Sequence, residues 1–291
     1  MDWLERMKSA IDLIESKLTD KVDVEEIAKQ AYSSSYHFQR MFHLHTGVTI
    51  GEYIRKRRLT LAAQDLAMSS VKVMDISLKY GYESPESFAK AFRKVHGISP
   101  SEARMQGVVL KAFPRISLYF SLRGDRDIDY QIVNRDEFQV TGKTIRVSLE
   151  DGEDMRLIPQ FWHACESDGT VERLRALHLD RILLGICTTD YQREELTYAI
   201  AAESDVPTTD KEQVSLHIPA STWAVFTSTG ALPSTIQGVW RRIFEEWFPA
   251  TSYQHTGGPE LEVYLPGDPR SDDYKCEVWI PVKIKKQWIT D

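Results

Sequence analysis

Cysteine is scarce in this chain: Cys165, Cys187 and Cys276 lie far apart, with no Cys-x-x-Cys pair. That argues against a disulfide framework and a cysteine zinc site. No segment approaches the roughly 18 uncharged apolar residues that a membrane span needs. The opening MDWLERMKSAID is charged and helical in pattern, unlike a secretory signal peptide. No Ser-His-Asp order, metal-ligand set or phosphate loop stands out. His37, His43, His45 and His96 lack carboxylate or cysteine partners at ligand spacing and read as packing or surface residues. No cofactor, metal or membrane partner is expected, and the cytoplasm is the expected compartment.

What is present is enough chain for two cores: 291 residues, 42% hydrophobic and 27% charged. The net charge of −7 argues at first against nucleic acid, but it is unevenly spread. Residues 1–105 hold 16 Lys+Arg against 14 Asp+Glu, leaving 20 against 29 for the remainder. A near-neutral to basic first part and an acidic second part fit a DNA-facing half and a half with another task.

The stretch DISLKYGYESPESFAKAFRKVHGISPSEAR, residues 75–104, breaks into two helices at period 3.6. The first carries Ile76, Leu78 and Tyr80 and stops at Gly81, where positive φ is cheap. Ser84 is the expected N-cap of the second, with Pro85 at its first position. Phe88, Ala91, Phe92 and Val95 form one apolar stripe, and Glu86, Ser87, Lys90, Arg93 and Lys94 face outward. This is a helix-turn-helix or an ordinary αα-hairpin. An internal repeat favours the first: IAKQAYSSSYHFQRMFHLHTGVT matches ISLKYGYESPESFAKAFRKVHGIS, aligning Ile27 with Ile76, Phe38 with Phe88, Phe42 with Phe92 and Gly47 with Gly97. Around these, helices are expected over 2–18, from Asp23 (an N-cap with Glu26 as capping-box partner), over 34–45 and over 50–68. Two units joined by one long helix can enter successive major grooves, roughly 34 Å apart.

The paired pattern, YSSSYHFQRMFHLHTGVTIGEYIRKRRL and the stretch at 75–104, resembles the DNA-binding domain of AraC-family transcriptional regulators over nearly all of residues 5–105. The resemblance implies base or backbone contacts by Tyr36, Gln39 and Arg40 in the first recognition helix and by Glu86, Ser87 and Lys90 in the second. Arg40 suits guanine and Gln39 adenine, and Lys90 suits guanine or phosphate. Glu86 could equally favour its helix N-terminus. Within the cluster Arg55–Arg58, phosphate contacts or carboxylate pairing are expected rather than base reading, and Arg55 is counted among the DNA contacts. The more basic face of the first unit suggests that it carries specificity and the second positioning.

After Arg104 short alternating segments take over: 116–122, 130–133, 138–147, 182–188, 196–202, 222–228, 261–265 and 276–284, interrupted by helical patterns at 153–167 and 234–248. Strand, helix, strand, strand occurs twice, which predicts an antiparallel sheet with two helices on one face and a groove near the pseudo-twofold. The expected fold class is therefore multidomain α and α+β: an all-α double helix-turn-helix domain over residues 1–107, and a duplicated βαββ antiparallel-sheet domain over 108–291. Glu262 and Glu277 each sit between apolar strand neighbours. Either acid could simply face water, or lie at the base of an aromatic-walled groove and attract an organic cation.

The segments GGPELEVYLPGDPRSDDYKCEVWIPVKI and FQVTGKTIRVS are similar to the GyrI-like effector-binding domain, which follows AraC-type domains in Rob-type regulators. This second resemblance covers about residues 108–286. It implies a ligand groove between the repeats with a strand glutamate as its acidic group: Glu262 first, Glu277 second. Tyr130, Phe161, Trp162, Trp223 and Tyr264 would form the wall. The expected partners are promoter DNA, a small cationic or amphipathic effector and, further, RNA polymerase. A small-molecule hydrolase and a ligand-free protein-interaction module remain as alternatives for the second domain.

Overall fold

In a computed structural model, the structure describes residues 3–117, 127–177, 179–204 and 213–285. The chain forms two compact units, one of Met1–Phe38 with Val48–Ser121 and one of Gln39–Gly47 with Leu122–Asp291.

The first unit is helical. Its elements are α1 (Trp3–Ser16), α2 (Val24–Gln30), the start of α3 (Ser35–Thr46), α4 (Ile50–Met68), α5 (Val73–Lys79) and α6 (Pro85–His96). The expected caps at α6 are in place. Ser84 Oγ accepts the Ser87 N–H at 3.1 Å, Pro85 opens the helix, and Gly97 closes it at φ 78°. Such an N-cap contributes about 1 kcal/mol. At α2 the capping box does not form. Asp23 caps through the Glu25 N–H, while the Glu26 carboxylate turns to Lys17 at 2.6 Å. A lysine charge within reach outcompetes a neutral backbone N–H for that carboxylate. Leu59, Ala62, Ala63 and Leu66 of α4 pack against Ile76, Tyr80, Phe88 and Phe92. The repeat is visible in burial: Ile27 and Ile76, Phe38 and Phe88, and Phe42 and Phe92 are each at most 1% exposed. Part of the basic cluster serves this unit internally. Arg57 binds Glu15 through Nε and Nη2 at 2.9 and 2.8 Å, and Arg58 Nε donates to the Leu18 carbonyl at 2.8 Å.

Among the described residues, the second unit is built on nine antiparallel strands: β1 (Gln131–Arg135), β2 (Phe138–Ser148), β3 (Leu183–Asp190), β4 (Glu195–Glu203), β5 (Val214–Ile218), β6 (Ser221–Thr229), β7 (Tyr253–His255), β8 (Glu260–Tyr264) and β9 (Lys275–Ile284). Helices α7 (Glu153–Ser167) and α8 (Thr170–Arg175) follow β2, and α9 (Ser234–Arg242), extended by a π turn over Ile243–Trp247, follows β6. The sheet order is β1-β6-β9-β8-β3-β4-β2-β5, with β7 beside β9. The two βαββ copies, β2-α7-β3-β4 and β6-α9-β8-β9, therefore meet at the β3–β8 seam, about a pseudo-twofold. The short strand that leads into each copy pairs with the other copy: β1 lies along β6, and β5 along β2. Of the expected strand at 116–122, residues 116 and 117 are irregular and the rest lies outside the described residues. The strands β5 and β7 and the helix α8 are additions to the sequence reading.

Candidate functional site

Strand β8 is the short peptide Glu-Leu-Glu-Val-Tyr, and period-two alternation sorts it cleanly. Leu261 and Val263 enter a core with Val140, Leu184, Ile186, Trp223 and Val225. Glu260, Glu262 and Tyr264 therefore point to the opposite face, where Tyr264 packs with Tyr198, Trp162 and Phe161 beneath α7 and α8.

Glu262 is half-buried and held by three neutral donors. The Trp240 indole N–H reaches Oε1 at 2.9 Å. The hydroxyls of Tyr198 and Tyr264 donate to Oε2 at 2.9 and 2.8 Å. A second layer fixes the first: Trp162 Nε1 donates to the Tyr198 oxygen at 2.9 Å, and its ring meets that of Tyr264 edge-on at 5.0 Å. Gly185 faces Glu262 across the seam, and a Cβ there would meet Tyr198 Oη at 2.4 Å and Glu262 Oε2 at 2.8 Å. Only glycine leaves room for this carboxylate and phenol together.

The electrostatics keep the donors protonated. Burial first, and then the Glu262 charge, push the Tyr198 and Tyr264 hydroxyls far above the ordinary phenol range. Among the described residues, no lysine, arginine or histidine comes within 4.0 Å of the Glu262 carboxylate. Hydrogen bonds from neutral groups stabilise a charge without cancelling it. The result is a carboxylate without a cationic partner among the described residues, in a setting lined by the rings of Trp162, Tyr264 and Trp240, which is favourable for an organic cation.

Glu260, one pleat away, has a cation already. Its side chain is 0% exposed, and Oε1 accepts from Arg40 Nε at 2.9 Å. The Arg40 guanidinium lies 5.2 Å from the Trp240 ring centre and 5.3 Å from that of Phe244. His255 Nε2 is 3.3 Å from the same carboxylate oxygen, and His255 Nδ1 accepts the Gly257 N–H at 2.8 Å. The Nδ1 contact assigns the ring proton to Nε2. Burial lowers the His255 value, which leaves the imidazole neutral. For Glu260, burial is the largest influence and works against ionisation, but the charge and hydrogen bonding of Arg40 and His255 together outweigh it and the carboxyl titrates below its ordinary value.

Of the wall expected from sequence, Phe161, Trp162 and Tyr264 gather on the Glu262 face. Tyr130 packs elsewhere, 5.1 Å from Trp247 and 6.1 Å from Phe226. Glu277 pairs in register with Val263, which puts it on the other sheet face from Glu262, where it accepts the Trp279 N–H at 2.8 Å. Trp223 is fully buried in the core of that other face, against Trp279. Tyr198, Trp240 and Gly185 were not singled out from sequence. Their convergence on one carboxylate comes from strand pairing and the packing of α9, which leave no local signal. In the helical elements, Glu86, Ser87 and Lys90 are exposed on α6, whereas Tyr36, Gln39, Arg40 and Arg55 are half-buried. Among the described residues no cluster of three or more His, Cys, Asp or Glu could hold a metal ion, and no helix is long and apolar enough to cross a membrane.

Residues 128–283 match the family described as a GyrI-like small molecule binding domain, and residues 27–106 match a helix-turn-helix domain. The transcriptional activator AarP of Providencia stuartii is 42% identical over 92 residues, which is 32% of this chain and 68% of that protein. The multiple antibiotic resistance protein MarA of Escherichia coli is 33% identical over 97 residues, 33% of this chain and 76% of that one. The transcriptional regulator Rob of Salmonella typhimurium is 25% identical over 297 residues, spanning 97% of this chain and 100% of its own.

Proposed function

Because the chain belongs to the AraC-family transcriptional regulators with a C-terminal GyrI-like small-molecule-binding domain, we propose that its effector is an organic cation received at Glu262. The single observation that carries this reading is a half-buried carboxylate with three neutral donors, aromatic neighbours and no cationic partner among the described residues. A guest with a delocalised positive charge gains Coulomb attraction at Glu262 and ring-face contact at Trp162 and Tyr264. An anionic guest would meet repulsion from the same group. Promoter DNA is then met by the exposed Glu86, Ser87 and Lys90 of α6 and by Tyr36, Gln39, Arg40 and Arg55, with RNA polymerase as the partner through which the bound chain acts. Binding changes transcription only if the effector prefers one state of the chain over another.

Titration with tetraphenylphosphonium, a permanent aromatic cation, is expected to quench tryptophan fluorescence and to saturate. Glu262→Gln keeps the size and loses the charge. Its affinity should fall by about 100-fold, on the order of 2.7 kcal/mol. Equal affinity in the variant would sink the assignment. Mass spectrometry after incubation should return the probe intact; turnover that disappears in Glu262→Gln would place the domain among hydrolases instead.

A further inference from the structure

The contacts around Arg40 are those of a bound ligand. A planar cation lies over two aromatic faces, at 5.2 and 5.3 Å, and pairs with a carboxylate that is wholly inaccessible to water. The second carboxylate oxygen, Glu260 Oε2, is buried and makes no hydrogen bond among the described residues. This is the chemistry argued for an effector at Glu262, repeated two residues earlier on the same face of β8. Trp240 belongs to both places, because its N–H is spent on Glu262 while its ring lies against Arg40.

We propose that Glu260, Trp240 and Phe244 form a second cation site whose occupant is the chain's own Arg40, and that this occupancy withholds α3 from DNA. Arg40 is the residue of α3 best suited to a guanine edge. With its side chain 15% exposed and paired to Glu260, it cannot at the same time reach into a groove. DNA and Glu260 therefore compete for one guanidinium. A cation that settles at Glu262 draws on the shared Trp240 and weakens the hold on Arg40, so effector and DNA favour the same state and, by linkage, each strengthens binding of the other. Only this last step rests on the effector reading.

The test uses the full chain as wild type, Glu260→Gln and Phe244→Leu, with a duplex that the wild type selects from a random pool. Hydrogen exchange of the α3 amides at residues 39–46 supplies a readout independent of DNA sequence. Glu260→Gln should keep its near-ultraviolet circular dichroism and expose α3 to faster exchange. It should also bind the duplex on the order of tenfold tighter, ~1.4 kcal/mol. Phe244→Leu should move both readouts the same way by less, and it decides the matter alone if the first variant does not fold. Unchanged or weaker DNA binding with unchanged exchange would overturn the proposal and leave Arg40–Glu260 a structural pair. Tetraphenylphosphonium should tighten DNA binding by the wild type and not by Glu260→Gln, although both bind it. A probe that binds neither protein defeats the effector reading, while the response of DNA affinity to Glu260→Gln still judges the hold on Arg40.

Discussion

Glu260 and Glu262 stand one pleat apart on the same face of β8, and their carboxylates are stabilised by opposite means. Glu260 is fully buried and neutralised by a guanidinium, with a neutral histidine alongside. Glu262 is half-buried and surrounded by indole and phenol donors that orient it without neutralising it. Charge pairing in a dry site holds its cation in place, because removing either partner strands the other. Neutral solvation serves binding, because the charge remains available to a guest. The lesson is that a buried acid reads as a ligand site only after its partners have been sorted into charged and neutral.

The comparison breaks most visibly if Arg40 is truncated. Arg40→Ala leaves Glu260 ionised or forces it to take up a proton, and should cost about 3–5 kcal/mol in urea unfolding. Combining it with Glu260→Gln should recover a large part of that loss, and a double variant no more stable than Arg40→Ala would show that the pair does not matter to the fold. Glu262→Gln should do the reverse. It loses cation affinity as described, with stability changed by less than about 1 kcal/mol, since no cation is left behind.

Gly185→Ala sharpens the contrast from the opposite strand. Its Cβ would displace Tyr198 Oη and Glu262 Oε2, and Tyr198 is 2% exposed with little room to move. A stability loss of about 1–3 kcal/mol is expected together with weaker cation binding, while Arg40–Glu260 is untouched. Unaltered binding in Gly185→Ala would mean that the three-donor geometry is not required.

The smallest effect is in pH. Burial depresses the His255 value below its ordinary 6.5, and the same holds for His96. The unfolded chain then binds more protons than the folded one just below that pH, so stability falls as pH drops below about 6.5. The slope from each histidine is at most ~1.4 kcal/mol per pH unit, until the folded-state value is reached. His255→Gln should remove about half of the loss between pH 6.5 and 5.5, read from urea midpoints. The full slope in the variant would assign it to His96 alone.

Much of this architecture is legible in the residues because periodicity records it. Phe38, Phe42, Phe88 and Phe92 repeat at one helical spacing, and all four are buried. The helical pattern at 153–167 is α7 end to end. Strand parity told less. Alternation shows that Glu262 and Glu277 each differ in face from their neighbours, but only the pairing of Val263 with Glu277 shows that the two acids oppose each other across the sheet. Trp223 likewise needs its pairing with Pro281 before it can be set on the Glu277 face, where it is buried against Trp279. Nothing local to Tyr198 or Trp240 reveals that their polar ends converge on one carboxylate from β4 and α9. Glu260 gave no signal at all: its partner Arg40 is 220 residues away in the chain.

The crossed leading strands have a mechanical consequence. Each copy of the βαββ motif lends its first short strand to the far rim of the other, β1 to β6 and β5 to β2. The halves are clasped like two hands, each gripping the other's wrist, so neither can peel away without tearing backbone hydrogen bonds at both rims. Such a unit should melt in a single cooperative step and transmit a displacement at the central seam outward to both margins, rather than absorb it locally.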